Sequence, residues 1–127
     1  MIYTICLGSN ERRAYYLDFA RKRLSSLFPE IYFSPVEETK PLNMSRPALF
    51  ANQLARFSSD YTQLEVEAVL KRIEQEAGRL PEDKEQEIVK LDLDLLLCGD
   101  CVCRPQDMER DYIRRGLASL DAEESRR

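Results

Sequence analysis

The chain has 127 residues, 43% of them hydrophobic and 33% charged, with a net charge of −4 and no histidine. That size and balance predict one soluble globular domain spanning residues 1–127. The acidic excess argues against broad nucleic-acid binding, and the missing histidine removes Ser-His-Asp and Cys-His catalysis and His-ligated zinc.

The opening stretch Met1 to Leu7 has no basic leader and no small-residue cleavage site, so residues 2–7 read as a buried strand rather than a signal peptide. No apolar run approaches membrane-spanning length, so the expectation is a cytoplasmic protein without a membrane partner. Gly8-Ser9-Asn10 reads as a tight turn, with Asn10 placed to cap the helix that follows. Leu17, Ala20, Leu24, Leu27 and Phe28 recur at three- and four-residue spacing, one face of a helix that Pro29 stops. Residues 31–33 and 36–39 predict a second strand, interrupted by Pro35 and so at an edge. Lys40 to Pro47 holds two prolines and reads as a loop.

Leu49 to Phe57 predicts a third strand whose centre carries Asn52, a polar residue that needs partners there. Thr62-x2-Glu65 is a capping box. It opens a second helix with Val66, Val69, Leu70, Ile73 and Ala77 as its core stripe and Gly78 at its end. Residues 79–87 are charged and aperiodic, and read as a mobile loop. The fourth strand is placed at 88–98, then a Gly99-Asp100 hairpin, a last helix at 107–120 and a frayed tail at 123–127. The resulting order β-α-β-β-α-β predicts an α+β, ferredoxin-like antiparallel sheet with helices on one face, plus a C-terminal hairpin and helix. In that topology the first and fourth strands are antiparallel neighbours, so Gly8-Ser9-Asn10 lies beside Lys90 to Asp94.

The chemistry concentrates in Leu91-Asp92-Leu93-Asp94-Leu95. A strand alternates faces, so Asp92 and Asp94 point to one side, with Lys90 on the same face as a flanking cation. Two adjacent carboxylates repel unless something positive sits between them, and Mg²⁺ is held by one or two carboxylates plus phosphate oxygens. Glu74 stands in the last turn of its helix, where the dipole disfavours an anion. Arg110, Arg114 and Arg115 space like one helical flank. Cys98-x2-Cys101-x-Cys103 admits a soft-metal site with Cys6 as fourth ligand, but a hairpin of reduced thiols is the preferred reading.

An ordered set of short motifs runs along the chain: Leu7-Gly8-Ser9-Asn10, Glu38-Thr39-Lys40-Pro41-Leu42, Phe50-Ala51-Asn52, Ile73-Glu74-x3-Gly78-Arg79, Leu91-Asp92-Leu93-Asp94 and Arg115-Gly116-Leu117. In that order and spacing the sequence resembles the 6-hydroxymethyl-7,8-dihydropterin pyrophosphokinase family. The resemblance implies a Mg²⁺-dependent transfer of pyrophosphate from ATP to the hydroxymethyl oxygen of the pterin, releasing AMP, in folate biosynthesis. It implies two Mg²⁺ ions on Asp92 and Asp94, and ATP and a pterin as the small-molecule partners of a monomer or weak dimer. Thr39 and Asn52 would hydrogen-bond the pterin, Pro41 and Leu42 would line its pocket, and Phe50 would pack nearby. Glu74 would contact the nucleotide and Arg115 would reach its phosphates, with Lys90, or Lys84 in the loop, as a partial substitute for a phosphate-binding arginine of the family that this loop lacks.

The sequence also departs from the family pattern. Gln86-Glu87-Ile88-Val89 replaces a Trp and a Gly-Pro-Arg run, Pro81 replaces a loop arginine, and Leu117 replaces an aromatic. Glu109 and Arg110 stand near a lost His-Tyr pair. The second reading is therefore a non-catalytic pterin- or nucleotide-binding module of the same fold.

Overall fold

The computed structural model describes all residues, 1–127. The strands are β1 (Ile2–Ser9), β2 (Tyr32–Phe33), β3 (Glu37–Thr39), β4 (Phe50–Ser58), β5 (Asp92–Cys98) and β6 (Cys101–Val102). The helices are α1 (Arg13–Leu27), α2 (Gln63–Glu76) and α3 (Asp111–Ser125), with single 3₁₀ turns at Pro81–Asp83 and Asp107–Glu109. The sheet runs β2-β4-β1-β5-β6, and β3 also pairs with β4. Every pairing is antiparallel. This is the α+β, ferredoxin-like arrangement that the order of elements predicts, with the first strand between the third and the fourth.

One face of the sheet presents Tyr3, Ile5, Leu7, Leu93 and Leu95 to α1 and α2, which answer with Leu17, Ala20, Leu24, Val66, Leu70 and Ile73. The other face presents Cys6, Leu54 and Leu96 to Ile113 and Leu120 of α3. Helices thus lie on both faces. α3 approaches so closely that a Cβ on Gly116 would stand 2.8 Å from a methyl of Leu54. A bulge opposite Thr4 and Ile5 lets both faces of β5 be apolar beyond Asp94, because Leu96 is inserted where Thr4 pairs with Leu97 and Ile5 with Leu95.

The local signals of α2 hold. Thr62 Oγ1 accepts the Glu65 N–H, the Glu65 carboxylate accepts the Thr62 N–H, and Gly78 at φ 96° closes the helix. Four local expectations are corrected. Asn10 does not cap α1, whose N-cap is Arg12 in the left-handed region at φ 43°. Instead Asn10 is a bracket: its Oδ1 accepts the Val89 N–H at 2.7 Å and its Nδ2 donates to the Glu87 carbonyl at 2.9 Å.

For that reason residues 88–91 follow a side-chain bracket, and strand pairing begins only at Asp92. The 79–87 loop is also held, not free. Asp83 accepts the Leu80 N–H at 3.0 Å and pairs with Lys90 at 3.1 Å, and the Glu87 carboxylate accepts the Ser45 N–H at 3.0 Å. The C-terminal tail is helical to Ser125, because the buried Arg56 reaches across the sheet face to Asp121 at 2.7 Å and to Glu124 at 3.6 Å.

Candidate active site

The register of three strands builds the site. Gly8 of β1 pairs with Asn52 of β4 on one side and Asp92 of β5 on the other, and Cys6 pairs with Leu54 and Asp94. Paired residues share a face, so Asn52, Asp92 and Asp94 all project to the side that α3 covers farther along the sheet. Gly8 is not a turn residue; it lies within β1, and its φ is not positive. Its missing side chain leaves a floor between an amide and a carboxylate. A Cβ there would stand 3.4 Å from Asn52 Oδ1.

Above this floor is a cavity of about 460 Å³, lined by Thr39, Leu42, Phe50, Asn52, Asp92 and Asp94. Thr39 Oγ1 accepts from Asn52 Nδ2 at 2.7 Å, which fixes the amide so that its oxygen faces Gly8. A second cavity of about 530 Å³ lies on the α2 side of β5 and takes in Leu70, Lys71, Glu74 and Cys103. Asp92, Asp94, Arg79 and Arg104 line both. The two aspartates are therefore the wall between two compartments.

The electrostatics of that wall are unfavourable as they stand. Burial and the charge of Asp92 raise the Asp94 carboxyl to about 7, against a smaller opposing pull from Arg104. Burial also raises Glu74, offset in part by the Leu93 N–H that its carboxylate accepts at 2.7 Å. The Cys6 thiol is pushed up by its own burial and then by Asp94 and Asp92, which keeps it protonated.

Of the residues singled out in the sequence, Thr39, Leu42, Phe50, Asn52, Asp92 and Asp94 converge on the first cavity, and Glu74 reaches the second. Pro41 is not in the lining; its neighbours Lys40 and Leu42 are. Lys90 does not flank the carboxylates. It precedes β5, and its Nζ donates to the Gly78 carbonyl at 2.8 Å and pairs with Asp83. Arg115 is held in a two-point pair with Glu37, at 2.7 and 2.9 Å, beside a smaller separate cavity of about 260 Å³. Ser9 also turns away, its hydroxyl donating to the Glu11 carbonyl.

Several lining residues were not read as a site from the sequence: Arg104, Asp107, Tyr112 and Met44. One signal was available, since Arg104-x2-Asp107-x2-Arg110 alternates charge at three-residue spacing. The structure closes it into two ion pairs on Asp107. The four thiols are free, and Cys6 packs on the α3 face while Cys98 and Cys103 pack on the other, so they make no four-ligand centre. No group of three or more carboxylate, thiol or imidazole side chains is arranged to hold a metal.

The sequence profile of 7,8-dihydro-6-hydroxymethylpterin-pyrophosphokinase matches residues 4–122, nearly the whole chain. The chain belongs to this family. All of the motifs read from the sequence, from Leu7 to Leu117, fall within the matched residues. A search of curated proteins gives no match. Among solved structures, the C-terminal domain of the MgtC protein from Mycobacterium tuberculosis is similar at a TM-score of 0.43 and 9% identity, covering 74% of this chain and 85% of that one. No helix of the chain is long and apolar enough to cross a membrane.

Proposed function

We propose that the chain transfers pyrophosphate from ATP to the hydroxymethyl oxygen of 6-hydroxymethyl-7,8-dihydropterin, giving AMP, with Mg²⁺ held by Asp92 and Asp94. The observation that carries the reading is the shared wall: the same two carboxylates line a cavity floored by Gly8, Asn52 and Thr39 and a second cavity along α2. A reaction between two bound molecules needs such a junction. The residues fit the metal, since two adjacent hard oxygen donors stand on one face and the burial of Asp94 beside Asp92 calls for a compensating cation. Bound there, Mg²⁺ would neutralise phosphate charge and hold nucleophile and leaving group in line.

The protein's own groups do the rest. The Asn52 amide, locked by Thr39, offers its oxygen to the donor edge of a pterin, and the absent Gly8 side chain lets the ring lie flat on the sheet. Phe50 and Leu42 supply an apolar wall. The pterin oxygen attacks the β-phosphorus, the bond from that atom to the α-phosphate oxygen breaks, AMP leaves, and the hydroxyl proton passes to water. Arg79, paired to Glu74 at 2.9 Å and lining both cavities, offers positive charge to the phosphates.

One observation favours a second reading, binding without turnover. Of the 79–90 segment only Arg79 and Val89 line the first cavity, so the loop brings a single cation to it. An AMP-release assay with ATP, Mg²⁺ and the hydroxymethyl pterin tests both. Turnover in wild type that is lost in Asp94→Ala supports transfer; calorimetric pterin binding with no AMP selects the binding module.

A further inference from the structure

Cys98-Gly99-Asp100-Cys101 places two thiols at the ends of the turn that joins β5 to β6. Gly99, at φ 60°, takes the first central position of this two-residue turn. The turn makes Cys98 and Cys101 direct cross-strand partners, and both thiols are free. Such partners stand about 4.5–5.5 Å apart at Cα, inside the roughly 4.4–6.8 Å that a disulfide spans. A third thiol, Cys103, packs with Cys98 against the α1 and α2 cluster, and its Sγ donates to the Cys101 carbonyl at 3.9 Å. It is the diagonal neighbour of Cys98, about 7–8 Å away by strand geometry, and too far to bridge without backbone movement. Burial raises the Cys103 thiol, and the neighbouring thiols add to it, so it stays protonated and is a poor nucleophile. The paired thiols differ in access: Cys98 is half-buried and pairs with Tyr3 of β1, whereas Cys101 is exposed.

We propose that Cys98 and Cys101 form a reversible dithiol–disulfide site whose co-reactant is a low-molecular-weight disulfide. Cys101, as thiolate, attacks one sulfur of the small disulfide; that S–S bond breaks, and one small thiolate leaves and takes a proton from water. Cys98 then gives its proton to solvent and attacks the Cys101 sulfur of the mixed disulfide, and the second small thiolate leaves. The protein loses two electrons and two protons, and the small disulfide is reduced to two thiols. Strand pairing holds Cys98 in place for the second step before the first has occurred. The ring encloses only Gly99 and Asp100, so the bond constrains the unfolded chain little. Short and exposed, it is easily reduced again, the behaviour of a redox-responsive bond rather than a structural one. The turn lies at the opposite end of β5 from Asp92, and the site is independent of the proposed function.

The test equilibrates the full chain in a series of glutathione and glutathione-disulfide mixtures, quenches with an alkylating reagent and maps the thiols by peptide mass spectrometry. Two of the four free thiols are expected to become protected together, in one Cys98–Cys101 bond, and dithiothreitol returns both. Cys103→Ser should oxidise as wild type does. Cys98→Ser should stop at a single glutathione on Cys101, because the second step has lost its thiol. Cys101→Ser should react about tenfold more slowly or less, since its remaining thiols are buried or half-buried. The wild-type map alone decides the pairing, so a variant that fails to fold does not remove the test. A bond from Cys103 to either partner, a bond between two chains, a lasting glutathione adduct on wild-type Cys101, or four free thiols in the most oxidising mixture would each overturn the site. None of these results changes what the AMP-release assay reads.

Discussion

Glu74 of α2 accepts the backbone N–H of Leu93 in β5, at 2.7 Å, midway between the two aspartates. β6 extends the sheet only alongside Leu97 and Cys98, so nothing on that edge of β5 is available to pair with Leu93. The carboxylate takes the place of the missing strand. It also accepts from Arg79 at 2.9 Å, and the two bonds offset the cost of placing an anion in the last turn of a helix. Glu74 thus fixes the strand segment that carries Asp92 and Asp94.

Glu74→Ala is expected to cost roughly 1–3 kcal/mol of stability, because it strands a backbone donor and frees Arg79. Urea melts give the loss, and hydrogen exchange at the Leu93 amide should accelerate more than at the Leu7 amide on the central strand. Equal protection of Leu93 in wild type and variant would show that the bond contributes nothing.

Most of the fold was legible because its signals are local. Period-two and period-3.6 patterns, the Thr62–Glu65 box and the Gly78 stop each act over a few residues. What escaped is long-range. Asn10 brackets residues 87 and 89, Glu87 receives the amides of Ser45 and Arg46, and Arg56 holds the end of α3. No periodicity announces a polar side chain that satisfies backbone groups tens of residues away. The site divides the same way. Asp92 and Asp94 stand out as charges in an apolar strand, and Asn52 as an amide in a core one. Lys90 shares their alternation, yet strand geometry has not begun at that position, so its side chain goes to Asp83. Arg104 is one arginine among many until the hairpin returns it to Asp94.

Gly8 separates binding from folding. Its φ is not positive, and an added Cβ meets only Asn52 Oδ1 at ordinary contact distance. Gly8→Ala should leave stability unchanged or raise it by about 0.4–1 kcal/mol through the unfolded chain. The new methyl sits on the cavity floor between Asn52 and Asp92, where a flat ring would have to lie. Pterin affinity, followed by fluorescence titration, should therefore fall about tenfold or more while the melting temperature holds. Unchanged affinity in a well-folded variant would remove the floor of the first cavity from the pterin site.

The carboxylate wall makes metal-free stability depend on pH in a predictable direction. Asp94 titrates at about 7 in the folded protein against an ordinary value of 3.8, so folding favours its protonated form. That favourable contribution is complete below about pH 3.8 and is lost as pH rises toward 7. Glu74 is also raised and adds to the slope. Asp18, Glu37 and Asp83 are lowered by their cationic or backbone partners, and their opposing effect sets in only as pH falls through about 4.5 and below. In chelator, the wild-type protein should lose on the order of 2 kcal/mol between pH 5 and pH 8. Asp94→Asn should flatten most of that loss, since an amide has no charge to bury. Saturating Mg²⁺ should restore wild-type stability at pH 8 by binding the folded state, and should do little for the variant. Chemical denaturation at the two pH values, with and without the ion, reads all four conditions. A wild-type curve as flat as the variant's would mean that Asp94 is ionised at no cost and needs no cation beside it.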